Sequence, residues 1–156
     1  MKPGSAIPQG GRSGFSTTMK RFHGMQNACS YGFGKTVALD YERALDKLLG
    51  LFRSRGFSIL FQVDMQEALR QEAGAGFRRY MIIGACPPAF ARRAFNADSN
   101  IGLLLPCNVV VYEEEGGRST VMVIDPAHLM DLVRVPEVIE VAIEIKEEFE
   151  ALVEMM

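Results

Sequence analysis

A chain of 156 residues is long enough for one domain with its own core and too short for two domains of ordinary size. Because 48% of the residues are hydrophobic and 23% are charged, the composition is that of a globular protein and excludes an intrinsically disordered one. The formal net charge of −2 gives no general attraction to nucleic acid or to anionic membranes, so neither is an expected partner.

Cysteine and histidine usage argues against a disulfide scaffold and a zinc site. There are three cysteines, none in a CxxC pair, and two histidines, so a tetrahedral site would need almost all of them. We therefore predict no tetrahedral metal site such as a structural zinc. No apolar run approaches the roughly 20 residues that span a bilayer, and the expected location is the cytoplasm.

The N-terminal segment differs from the rest of the chain. Residues 1–28 are rich in Gly, Ser, Pro and Gln and carry basic residues without any acid, which predicts a flexible basic leader. The leader lacks the apolar stretch of a secretory signal. Met1, Met19 and Met25 are alternative starts. Residues 30–156 are predicted to form a single domain.

The folded part is expected to open with a strand and a helix. Residues 31–39 alternate as a strand does, and Asp40 then occupies the N-cap position of an amphipathic helix. Gly56 can adopt the left-handed backbone conformation that ends this helix. Helical spacing predicts that one stripe is buried: Tyr41, Ala44, Leu45, Leu48 and Phe52.

Two further strands and a short helix follow. Phe57, Ile59, Phe61 and Val63 alternate with mostly polar neighbours, which predicts a strand with those four side chains on one face. Asp64 and Glu67 have the spacing of a capping box for a short helix. Residues 77–85 predict a third strand, buried on both faces at 80–83. Pro88 then opens a helix over 88–96.

The C-terminal half predicts a hairpin and a long helix. Residues 103–113 and 118–125 form the hairpin strands around a glycine turn at 114–117, and Pro106 indicates a bulge or an edge. Pro136 opens the last helix. Its apolar stripe needs a packing partner: Val138, Ala142, Ile145, Phe149, Leu152 and Met156.

The predicted fold class is therefore α+β, in the order β-α-β-β-β-β-α, with two main helices packed on one face of an antiparallel sheet. Strands three and four are apolar on both sides, which an uncovered sheet face would not tolerate in water. A large exposed apolar face marks a partner surface, so we predict a homodimer.

Several motifs resemble the bacterial and archaeal family called "domain of unknown function 302". They are Tyr31-Gly32-Phe33, Gly84-Ala85-Cys86 followed by Pro88, the run from Ile101 to Tyr112, and Asp125-Pro126. The resemblance covers residues 30–155 and implies a TATA-box-binding-protein-like fold, β-α-β4-α, and dimers. It implies no activity. One departure is Pro87, where the resemblance leads us to expect a polar residue.

Cys86 and Cys107 are the first candidate ligand-binding residues. Cys86 ends a strand just before a proline-started helix, whose N-terminus would lower the pKa of the thiol. If strands three and four pair, the two sulfurs approach each other and suit redox sensing, a soft metal such as Cu(I), or a thiol-reactive ligand. The alternative is that both thiols are buried and inert.

Asn108 and Asp125 are the other two candidates, because they are polar residues within or at the end of apolar strands. They either line a pocket with Cys107 or serve the backbone, Asn108 beside Pro106 and Asp125 as a cap.

Three functions remain open from the sequence. The first is a non-catalytic homodimer that binds an unknown small ligand or senses redox state. The second is an assembly module without a ligand. The third is an enzyme with Cys86 as nucleophile, for which the sequence shows no convincing general base.

Overall fold

The computed structural model describes residues 27–73 and 76–156. Within them, the predicted strands and main helices follow one another in the predicted order, and short 3-10 turns lie at Ser99–Leu103 and Met130–Leu132. The elements are β1 (Asn27–Cys29), β2 (Gly32–Val37), α1 (Tyr41–Ser54), β3 (Ser58–Asp64), α2 (Met65–Ala68), α3 (Arg70–Ala73), β4 (Tyr80–Cys86), α4 (Pro88–Ala97), β5 (Cys107–Glu114), β6 (Arg118–Ile124), α5 (Pro126–Leu129) and α6 (Pro136–Glu154).

The strands form one antiparallel sheet in the order β1-β2-β6-β5-β4-β3. The α+β prediction is confirmed. From β2 to α6, leaving out the short helices, the order is strand, helix, four strands, helix. Strand β1 was not predicted; it pairs with β2 and so begins the folded part slightly before residue 31. Most of the predicted leader, residues 1–26, lies outside the described residues.

One side of the sheet, which we call the inner face, forms the core beneath α1 and α6. Its strand residues that are buried to within a few per cent are Phe33, Val37, Ile83, Ala85, Val109, Val111, Val121 and Val123. Phe52 of α1 and Phe149 of α6 meet there at right angles, with ring centroids 6.5 Å apart. Each such side chain contributes about 1.5–3 kcal/mol by leaving water.

Local signals explain where α1 begins and ends. The Asp40 carboxylate accepts a hydrogen bond from the Arg43 backbone N–H at 2.9 Å, which satisfies a donor that the first turn leaves free. Gly56 follows the helix with φ of +75°, a conformation that costs glycine little. All five residues of the predicted stripe are buried.

The single-face prediction for β3 is wrong. A bulge between Ile59 and Phe61 shifts the register, so Ile59 packs on the core while Phe61 and Val63 turn to the other side of the sheet and are each 39% exposed. A bulge inserts a residue and reverses the alternation beyond it.

The predicted first hairpin strand is too long at its start. The chain forms the 3-10 turn at Ser99–Leu103, and β5 begins only at Cys107, after a cis peptide bond between Leu105 and Pro106. Proline donates no ladder hydrogen bond, so the strand starts after Pro106. The hairpin turn is confirmed, with Gly116 and Gly117 at positive φ.

Helix α6 lies over the sheet as predicted. All six residues of its apolar stripe are buried, including the chain-terminal Met156. No helix in residues 27–73 or 76–156 combines the length and apolar character that crossing a bilayer requires.

Candidate functional site

Cys86 and Cys107 both line one small cavity. Cys107 pairs in register with Ala85, the residue that precedes Cys86, and both thiols are 3% exposed. The cavity has a volume of about 30 Å³ and lies between the sheet, α4, α5 and α6. The rest of its lining is Phe90, Ala94, Ile101, Leu104, Leu105, Pro126, Leu129, Met130, Val138, Val141, Ala142 and Ile145.

The predicted lowering of the Cys86 pKa is wrong. Burial raises the pKa of the Cys86 thiol, although a hydrogen bond from the Ala91 backbone N–H in α4 acts in the opposite direction. Burial, with a smaller contribution from Cys86, raises the pKa of Cys107 to about 12. Desolvation of the thiolate therefore outweighs the helix terminus, and both side chains are protonated near neutral pH.

Asn108 does not reach this cavity. It follows Cys107 in β5, and consecutive strand residues point to opposite sides of a sheet, so Asn108 lies exposed on the side away from the helices. It lines a second pocket instead.

Asp125 forms a third location, at the end of β6. The carboxylate is buried and contacts Lys146 Nζ at 2.5 Å and His128 Nδ1 at 3.1 Å, while its other oxygen accepts from the Ala127 N–H at 2.9 Å. Burial raises the pKa of Asp125, but the hydrogen bond and charge of Lys146, aided by His128 and Ala127, outweigh it and hold the pKa below 3.8. The arrangement caps α5 and ties it to α6.

We expect Asp125→Asn to lower the free energy of unfolding at pH 7 by about 1–3 kcal/mol, the range for hydrogen bonds to charged groups. Because the folded pKa lies below the unfolded value of 3.8, this stabilisation is fully present at pH values well above 3.8 and is lost as pH falls through the folded value. Urea unfolding from pH 7 to pH 3 should therefore show the two proteins converging.

Asp40→Asn is the matched control, since Asp40 also caps a helix, but its ion pair with Arg43 is exposed. It should change stability by less than about 0.5 kcal/mol, because asparagine caps as well as aspartate. A loss at Asp125→Asn that is the same at pH 3 and pH 7 would show that the charge plays no part.

The side of the sheet opposite the helices, which we call the outer face, is apolar and only half covered. Its central residues are Phe61, Val63, Ile82, Val110, Tyr112, Met122 and Ile124, all partly or largely exposed. The Phe61 ring lies over Gly84, where a Cβ atom would stand 2.4 Å from the ring. The predicted second apolar surface is thus present in the single chain.

A shallow pocket of about 410 Å³ lies on the outer face, and we call it the tyrosine pocket. Tyr80 and Tyr112 stack there in parallel, with ring centroids 5.4 Å apart. Burial, together with the nearby phenols of Tyr112 and Tyr31, raises the pKa of Tyr80. The remaining lining is Cys29, Tyr31, Gly32, Asn108, Val110, Met122, Val123 and Ile124.

The four candidate residues therefore occupy three places, and sequence reasoning missed the tyrosines and Lys146. In the described ranges no three His, Cys, Asp or Glu side chains gather as they would around a metal ion.

Comparison with known proteins places the chain in a family. The family model "Domain of unknown function DUF302" matches residues 33–156. The chain belongs to the DUF302 family. The crystal structure of an uncharacterized conserved DUF302 protein from Bacillus stearothermophilus is 27% identical, with a TM-score of 0.72 over 81% of this chain and 98% of that one. A search of curated proteins found no match.

The DUF302 region contains all four candidate residues but begins after β1 and Cys29. Part of the tyrosine pocket, including Cys29 and Tyr31, therefore lies outside the family match.

Proposed function

We propose that this DUF302 protein is a non-catalytic cytoplasmic domain that forms a homodimer through the outer face and binds a small ligand in the tyrosine pocket. The observation that carries the proposal is the apolar outer face, because soluble single chains rarely leave a contiguous apolar sheet face in water. Val110, at its centre, is flanked in register by Ile82 and Met122.

Charges at the rim favour a second copy as the occupant. Glu114 contacts Arg78 at 3.5 Å and stands opposite Arg118 across the hairpin. In a two-fold dimer the same patch meets itself, so a patch that carries both signs is compatible with its own copy. A partner surface with charges of a single sign would gain little electrostatic attraction from this rim, because the rim carries both signs.

The pocket supports the ligand part of the proposal. Its size falls within the range of about 300–1,000 Å³ that is usual for small-molecule sites. Stacked phenols offer flat apolar surface, and Asn108 offers an amide donor and acceptor. This chemistry suits a planar, largely apolar molecule with a few polar groups, which the second copy would cover.

Native mass spectrometry of protein purified from its own host tests both parts at once. Two chains with additional retained mass are the expected result. Two chains without additional mass would overturn the proposal of a bound ligand. The protein would then fit the second function considered from the sequence, an assembly module without a ligand. A single-chain mass would overturn the dimer.

Redox sensing by Cys86 and Cys107 is a second candidate, favoured by their shared cavity and opposed by their raised pKa values. An enzyme with Cys86 as nucleophile lacks support, since the described lining of the cavity contains no acidic or basic side chain that would serve as a base.

Thiol titration of the native protein separates inert from redox-active cysteines. We expect only the exposed Cys29 to react, and Cys86 and Cys107 to react after unfolding in urea, because both are buried. The control is Cys29→Ser, which should then show no reactive thiol. Rapid native reaction of Cys86 or Cys107 would favour redox sensing instead.

A further inference from the structure

Three sulfur-containing side chains line the small cavity on the inner face of the sheet. Cys86 comes from the end of β4, Cys107 from the start of β5, and Met130 from the 3-10 turn after α5. Cys107 pairs in register with Ala85, so Cys86 follows the residue directly opposite Cys107 on the neighbouring strand. Apart from these sulfurs, only aliphatic, aromatic and proline side chains line the cavity.

This donor set selects among metal ions by its chemistry. Calcium and magnesium need oxygen ligands, of which the cavity lining has none from side chains. Zinc in structural sites takes four ligands, more than the three sulfurs present. Thiolates with a thioether are soft ligands of the kind that bind Cu(I).

We propose that Cys86, Cys107 and Met130 form a three-sulfur binding site for a single Cu(I) ion. The cavity of about 30 Å³ exceeds the roughly 10–15 Å³ that a water needs, so one small ion has space. On binding, each thiol releases its proton to solvent and forms one copper–sulfur bond, while the Met130 thioether binds without losing a proton. No electron is transferred.

The surrounding structure offsets part of the resulting charge. Two thiolates and one Cu(I) carry a net charge of −1, and burying that charge in an apolar cavity is unfavourable. The ten-residue α4 begins two residues after Cys86, so the positive end of that helix lies close to the Cys86 side chain. The main free-energy cost is the removal of the Cys107 thiol proton, which Cu(I) has to displace, because the pKa of Cys107 is raised to about 12.

Anaerobic Cu(I) titration in competition with bicinchoninate tests the site. The full chain should carry Cys29→Ser, because an exposed thiol binds copper adventitiously. We expect one Cu(I) per chain in this background, and a loss of affinity of about 100-fold or more when Cys86→Ser or Cys107→Ser is added. Failure to hold Cu(I) against the competitor, or retention unaffected by either substitution, would overturn the proposal.

Two further measurements guard against a folding defect in the serine variants. Met130→Leu conserves volume, so the fold should persist while Cu(I) affinity falls by about tenfold; unchanged affinity would overturn the three-sulfur site. X-ray absorption at the copper edge should show sulfur neighbours alone. Nitrogen or oxygen neighbours would place the copper elsewhere. These outcomes are independent of whether the outer face forms a dimer.

Discussion

Val110→Lys is expected to convert the proposed dimer into folded single chains. Val110 lies in β5 between Ile82 and Met122, at the centre of the outer face. In a two-fold dimer the change places two ammonium groups within one apolar interface, where buried or like-charged groups cost several kcal/mol. That cost corresponds to a rise in the dissociation constant of about 100-fold or more. Sedimentation equilibrium at micromolar concentration measures the change.

Ile143→Lys is the matched control for this experiment. Ile143 is 49% exposed on α6, which lies on the opposite side of the sheet, and it receives the same gain of charge. The control should sediment as the unchanged dimer, and circular dichroism should show both variants folded. If Val110→Lys leaves the mass unchanged, the outer face is not the interface.

Phe149→Ala is expected to produce the largest loss of stability, about 3–5 kcal/mol. The Phe149 ring is fully buried and contacts Phe57 with centroids 5.1 Å apart, in addition to Phe52. Truncation removes the ring from the junction of α1, α6 and the sheet and leaves a cavity that rigid neighbours fill poorly. Urea unfolding followed by circular dichroism measures the effect.

Ile143→Ala serves as the comparison within the same helix, because it removes an apolar side chain that is already half in water. It should change the free energy of unfolding by less than about 0.5 kcal/mol. A loss below 1 kcal/mol for Phe149→Ala would contradict the packing of α6 on the sheet.

Helices were the part of the fold that the sequence predicted best, because their signals are local. Asp40 and Gly56 bracket α1, and Pro88 and Pro136 each open a helix in its first turn. Proline there loses no intrahelical hydrogen bond. The apolar stripes then identified the buried side chains without knowledge of what covers them.

Strand details depended on partners that are distant in the chain. The bulge after Ile59 exists only in the pairing of β3 with β4, and the stack of Tyr80 on Tyr112 only in the register of β4 with β5. Neither register is written in local spacing, since a slip of one residue preserves the alternating pattern while reversing the faces.

The candidate site was partly predictable. The pairing of β4 with β5 is enough to bring Cys86 and Cys107 to one cavity. Asn108 was wrongly grouped with Cys107, although strand alternation places consecutive residues on opposite sides of a sheet. Lys146 lies 21 residues from Asp125, and only the packing of α6 beside the end of β6 brings the two together.

Sedimentation equilibrium of the unmodified protein, diluted to low micromolar concentration, tests most directly the proposal that a second copy covers the outer face. The chain mass is 17.3 kDa, and we expect a single species of twice that mass. A homogeneous species of 17.3 kDa would mean that the apolar face remains in water, which would contradict the assembly proposed for it.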